Sequence, residues 1–173
     1  GIGIWGDRNA LILDAEFSKY LSFSSKLSLE ITARGRTNLQ RKTIDYYNLS
    51  VIGPKPEVVR GYITQHIRGS DFPYLKSSLR YQVLDFSVNL GKYMPIKAYR
   101  NIPVQAYLKL NNDLAYIRTA IDSDASNTLI NRRLYGRGIG IDIVTANLSL
   151  LELMYNFNDL GDRQFDFHFS YAF

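Results

Sequence analysis

Apolar and polar residues alternate along most of this chain with a period of two, so the predicted elements are strands. The clearest case is Phe165-Asp166-Phe167-His168-Phe169-Ser170-Tyr171-Ala172-Phe173. One face of that segment carries Phe165, Phe167, Phe169, Tyr171 and Phe173, and the other Asp166, His168, Ser170 and Ala172. Six further segments alternate in the same way: residues 10–23, 26–34, 77–88, 102–118, 134–145 and 149–157. In residues 10–23, Leu11, Leu13, Ala15, Phe17 and Leu21 oppose Asp14, Glu16, Ser18 and Tyr20. In 77–88, Leu79, Tyr81 and Val83 oppose Arg80 and Gln82. In 102–118, Ala106, Leu108, Leu110, Leu114 and Tyr116 alternate with Gln105, Tyr107, Lys109, Asn111 and Asp113.

The first two segments are joined by a short turn at Ser24-Ser25 and form a hairpin. A polar stretch from about residue 35 to 76, holding Pro54, Pro56 and Pro73, then separates them from the third. A connection of that length inside one domain is a functional loop or disordered. Residues 1–9 are read as a lead-in, with Gly1 to Trp5 a candidate eighth strand that is short and glycine-rich. The chain opens Gly1-Ile2-Gly3 without a Met, and is read as processed or as part of a longer chain.

Every segment carries polar or charged residues on one face. In a soluble sandwich that face would be the solvated one. Strands of about 9–15 residues, alternating short and long connections, and apolar faces with few interruptions, Lys19 and Asn112 being the visible ones, favour a transmembrane β-barrel. The apolar face would then meet lipid and the polar face a wet lumen.

Composition narrows this further. The chain has 173 residues, 46% of them hydrophobic, and 13 tyrosines. Its mean hydropathy of -0.17 and the absence of a long apolar run exclude membrane-spanning helices but not strands. No cysteine is present, which excludes disulfides and thiol chemistry. The net charge of +5 is scattered over Arg34, Arg36, Arg41 and Lys42, and over Arg132, Arg133 and Arg137. These are read as loop and rim charges that suit anionic lipid headgroups, not nucleic acid.

Candidate chemistry is sparse. Gly136-Arg137-Gly138-Ile139-Gly140 is no dinucleotide loop, because no helical period follows; its glycines thin a polar strand face so that something packs close. Asp14 and Glu16 share a face but read as lumen lining. His66 and His168 are too few for a metal cluster. No catalytic constellation and no cofactor is expected.

Val59-Arg60-Gly61-Tyr62, in the long stretch after the tyrosine-rich Asp45-Tyr46-Tyr47-Asn48, resembles the loop motif of the Omp85 superfamily. That family holds outer-membrane assembly factors, two-partner secretion transporters and patatin-linked barrels. Leu79-Arg80-Tyr81 matches the strand after the loop. Asn112-Asp113-Leu114-Ala115-Tyr116 is similar to the family's Asp-x-Gly strand motif, with Ala115 in place of glycine. Tyr135-Gly136-Arg137-Gly138-Ile139-Gly140-Ile141-Asp142 and the terminal strand resemble the last strands of Bacteroidetes members.

The resemblance implies an antiparallel transmembrane β-barrel segment, residues 10–173, forming the C-terminal seven or so strands of a barrel of about sixteen. Residues 35–76 would be its long extracellular loop. Arg60 would reach from that loop to Asp113, with Val59, Gly61 and Tyr62 shaping the tip. Phe165, Phe167, Phe169, Tyr171 and Phe173 would form the closing strand and assembly signal. No glycine lies between Arg163 and Phe173, so a glycine kink is not expected there. The implied role, without enzymatic activity, is insertion of barrel proteins or protein translocation at the bacterial outer membrane. Implied partners are the lipid bilayer, further barrel strands from the same protein, another chain or a symmetric copy, and client outer-membrane proteins. A tethered patatin-like esterase's translocator and a passive pore are the alternatives.

Overall fold

The computed structural model describes residues 2–7, 10–39, 50–52, 59–62, 65, 67–91, 100–119, 129–145 and 150–170. Its strands are β1 (Ile2–Asp7), β2 (Ala10–Ser22), β3 (Leu27–Asn38), β4 (Ser50–Ile52), β5 (Ile67–Gly69), β6 (Asp71–Asn89), β7 (Asn101–Tyr116), β8 (Arg133–Thr145), β9 (Leu150–Asn158) and β10 (Arg163–Ser170). Eight of them form one antiparallel sheet in the order β1-β2-β3-β6-β7-β8-β9-β10. The small β4–β5 pair lies apart from it, within the connection between β3 and β6. Among the described residues β1 pairs only with β2 and β10 only with β9, so the sheet is open.

Three features depart from the sequence reading. Residues 1–9 are more than a lead-in: Ile2, Ile4 and Gly6 pair with Ala15, Leu13 and Leu11, so β1 is an eighth strand in the sheet. The long connection is also shorter than 35–76, running from residue 39 to residue 70, because β3 continues to Asn38 and β6 begins at Asp71. Pro73 marks a loop in the sequence but sits inside β6. It pairs with Gly35 on one side, and the ladder to β7 begins only at Tyr74, where a donor is available.

The third departure is a bulge. The β6–β7 register shifts between Gln82 and Leu84. A one-residue insertion reverses which side chains face which side. Before the bulge Leu75, Leu79 and Tyr81 share the apolar face; after it Leu84, Phe86 and Val88 do. The shift also puts Asp85 on the polar face, where it accepts hydrogen bonds from Gln82 (3.0 Å) and Gln105 (3.4 Å). Without Val83 as the extra residue, three large apolar side chains would turn toward the polar side.

Connection lengths alternate only in part. At the end of the β2–β3 turn, β8 and β9 are joined by residues 146–149, but β6 and β7 by 90–100. At the other end the 39–70 and 117–132 connections are long, while 159–162 is a four-residue turn. The β2–β3 turn is closed by Ser24, whose hydroxyl accepts from the Lys26 and Leu27 amides at 3.2 and 3.1 Å.

The burial pattern is inverted relative to a sheet packed on an apolar core. Lys109, Asn111, Asp113 and Asp142 are nearly fully buried. Leu108, Leu110, Ile139 and Ile141 are about half exposed, and Phe165 and Phe167 are 66% and 64% exposed. One compact apolar cluster exists among the described residues: Val59, Tyr62, Ile67, Phe72, Ala115, Ile117, Leu129 and Leu134. It lies at the long-loop end and on the polar side of the sheet, where Val59, Tyr62 and Ile67 of the 39–70 connection pack over β6, β7 and β8.

Candidate functional site: a loop tip clasped to the polar face

Val59-Arg60-Gly61-Tyr62 forms a tight turn, with the Tyr62 amide donating to the Val59 carbonyl at 3.0 Å. Gly61 has φ 85°, a left-handed conformation that a side chain disfavours and that this turn requires at its third residue. Space is tight there too: a Cβ would sit 3.1–3.2 Å from Phe157 and Asn158.

The turn carries Arg60 onto β7. Its guanidinium donates to Asp113 Oδ1 at 2.8 Å and to the Ser78 hydroxyl at 3.1 Å. Its backbone amide donates to Asp113 Oδ2 at 3.0 Å. Both carboxylate oxygens are therefore engaged by one loop residue, and the Asp113 side chain is 1% exposed. A buried carboxylate is tolerated only when paired and hydrogen-bonded in this way. β8 makes room beneath. Gly136 pairs with Asp113, and a Cβ on it would collide with the Arg60 carbonyl oxygen. The glycine run of β8 thus thins the sheet where the loop backbone crosses it. Ala115 is buried in the apolar cluster against the loop.

A second group of contacts comes from the β9–β10 turn. Asn158 Nδ2 donates to the Gly61 carbonyl at 2.8 Å. Asn158 Oδ1 accepts from the Leu160 and Asp162 amides, both at 3.0 Å, which fixes the turn itself. The Tyr62 hydroxyl donates to Asp159, whose other oxygen lies 3.4 Å from Arg132. Burial pushes the Tyr62 hydroxyl well above the usual phenol range, and the hydrogen bond to Asp159 adds to the effect. Ser78, Asn158 and Asp159 were not evident from sequence: their partners lie 18 to 97 residues away, and Asn158 to Asp162 reads only as a turn.

Below the clasp the polar face carries a chain of ion pairs. Arg80 contacts Glu30 at 2.9 Å and Asp142 at 3.3 Å; Lys109 contacts Asp142 at 3.5 Å and also Glu152. Tyr20 extends the chain by donating to Glu30 at 2.9 Å. The chain spans β2, β3, β6, β7, β8 and β9. Asp14 is gripped by Arg34 at 2.6 and 2.8 Å, with Glu16 3.7 Å from the same guanidinium. The two carboxylates line the face as an ion cluster, without an acid–base geometry. His168 lies exposed on β10, and His66 falls outside the described residues. Among the described residues no group of acidic and histidine side chains is arranged to hold a metal.

On the opposite face Phe165, Phe167 and Phe169 form an exposed row along β10, which pairs with β9 in unbroken register from Arg163 to Ser170. Tyr171 and Phe173, predicted to continue the row, lie outside the described residues. No family model, no curated protein and no solved structure matches this chain.

Proposed function

We propose that this chain is part of an Omp85-type outer-membrane β-barrel that inserts barrel proteins into the membrane or translocates proteins across it. The observation that carries the reading is the Arg60–Asp113 clasp: a loop tip held by both carboxylate oxygens of a buried aspartate on the polar face of an inverted sheet. The exposed apolar face supports lipid as its environment, since water-soluble proteins rarely leave so continuous an apolar surface uncovered. The ion-pair chain supports a wet, polar interior, and the open edges of β1 and β10 call for further strands, because unpaired backbone groups are costly in lipid. In this reading the clasp fixes the long loop across the lumen, and the barrel wall offers a client an edge to pair with. The chain's own chemistry is hydrogen bonding and shape, with no bond made or broken.

The test is reconstitution of the intact protein carrying this chain in liposomes, with an unfolded outer-membrane barrel supplied as client. Conversion of the client to a folded, protease-protected form should accelerate at least about tenfold, and Asp113→Ala should remove most of that gain. No acceleration, together with a salt-dependent single-channel conductance, would identify a passive pore instead.

A further inference from the structure

The apolar face carries one cluster that neither the loop clasp nor the ion-pair chain uses. Arg137 on β8 and Arg163 on β10 both pair with Phe157 on β9, one from each side. Adjacent strands lie roughly 4.8 Å apart, so the two arginine backbones stand about 10 Å from each other with the phenylalanine between them. All three side chains are on the apolar face, and both arginines are exposed. Arg137 is held over the Tyr135 ring, 4.5 Å from its centroid, and the Tyr135 hydroxyl donates to Asn112 at 2.9 Å. The guanidinium is thus placed by a ring that is itself anchored.

Neither arginine forms an ion pair among the described residues. The acids of the adjacent turn are turned elsewhere: Asp159 engages Tyr62 and Arg132, and Asp162 accepts from Asn158 at 3.2 Å. Beside Arg163 a cavity of about 370 Å³ is lined by Tyr155, Phe157, Asn158 and Gly161. Away from the loop end the same face becomes purely apolar, with Phe165, Phe167, Ile139, Ile141 and Leu153. Two cations therefore sit at the margin of an apolar surface, on strands flanking one phenylalanine, and each guanidinium offers the donors that a phosphate accepts.

We infer that Arg137 and Arg163 form a binding site for the phosphate of an anionic lipid, whose acyl chain lies along Phe157, Tyr155 and Phe165. The site rests on the membrane-barrel reading. It places these arginines at headgroup level, where a lipid-facing arginine is tolerated, and not at the midplane, where it is not. Two arginines flanking one phenylalanine in the same row would select a phosphate monoanion over a zwitterion by charge, while the aromatic floor would select a lipid over a free anion.

The experiment uses the intact barrel protein in nanodiscs of mixed phosphatidylcholine and phosphatidylglycerol, with retained lipids identified by native mass spectrometry. The native protein should retain phosphatidylglycerol at least about tenfold above its bulk ratio. The Arg137→Ala/Arg163→Ala variant should fall to the bulk ratio, the double Lys variant should keep part of the enrichment, and excess inorganic phosphate should not displace the lipid. A bulk ratio on the native protein, enrichment that survives the double Ala variant, or displacement by inorganic phosphate would each overturn the site. Failure of the barrel reading is separately visible, because the protein would then be recovered from the aqueous phase without detergent.

Discussion

On β7, Lys109, Asn111 and Asp113 are buried, whereas Leu108, Leu110 and Leu114 on the same strand are exposed. The two faces share a backbone and a hydrogen-bond ladder, yet one is built from ion pairs and the other from bare hydrocarbon. Burial on the polar face comes from other polar groups and, at the loop end, from the chain folding back over it. Exposure on the apolar face is relieved by nothing in the described residues. The contrast teaches that hydrophobicity does not decide which side of this sheet is covered. Charge pairing does, and the hydrocarbon is left uncovered among the described residues.

The polar face is most sensitive at its clasp. Arg60→Ala leaves Asp113 buried without its cation, and Asp113→Ala strips the loop of both anchoring bonds. Each should weaken loop docking by about 3–5 kcal/mol, read as faster amide exchange across residues 59–62. The double variant should cost little more than either single one, and fully additive losses would contradict the pairing.

The apolar face should respond to charge instead. Leu110→Arg should destabilise the protein in vesicles, by less than the ~2–4 kcal/mol of a midplane site because its row adjoins that of Arg137, measured by urea titration. Ser18→Lys, on the exposed part of the polar face, should be nearly neutral. If the apolar face were in water, Leu110→Arg would be the neutral change.

A smaller effect separates a glycine in the path of the loop from one outside it. Gly136→Ala drives a methyl into the Arg60 carbonyl and should cost about 1–3 kcal/mol of loop docking. Gly35→Ala, with no atom within 4 Å of the added carbon, should leave docking unchanged. Both are read by the same exchange experiment.

The smallest effect is a pH dependence. Burial raises the folded-state value of the Tyr62 hydroxyl, so the docked loop keeps its proton where the released loop would lose it. Docking is then at full strength below the ordinary tyrosine value of about 10 and weakens as pH climbs from there toward the raised value. Tyr62→Phe should abolish this alkaline loosening. Loosening that persists in Tyr62→Phe would assign it to another group.

Much of the sheet was legible because period-two alternation is a direct record of two unlike faces. β2, β3, β7, β8, β9 and β10 all follow it in sequence; on β7 and β8 the burial alternates with it, while β3 is half-buried along nearly its whole length. What was hidden has physical reasons. β1 carries two glycines among six residues, so its pairing depends on β2 and not on its own pattern. The start of β6 is masked by Pro73, tolerated because only β3 needs to pair there. The Val83 bulge breaks strict parity, which a face assignment running straight from Leu79 to Val83 cannot register. At the site, Arg60 and Asp113 came from a motif, but Ser78, Asn158 and Asp159 belong to the clasp only through folding. A turn asparagine carries no sign that its amide will reach a loop carbonyl 97 residues away.

The account depends most on the two faces meeting different media. Because the chain has no cysteine, single cysteines at adjacent positions on β7 report on each face without background. A fluorophore on Leu108→Cys and one on Leu110→Cys should be quenched by a lipid-borne quencher and be insensitive to iodide. A fluorophore on Tyr107→Cys, on the polar face and clear of the clasp, should show the reverse. Equal iodide quenching at Leu108, Leu110 and Tyr107 would contradict the account, because it would place both faces of the sheet in water.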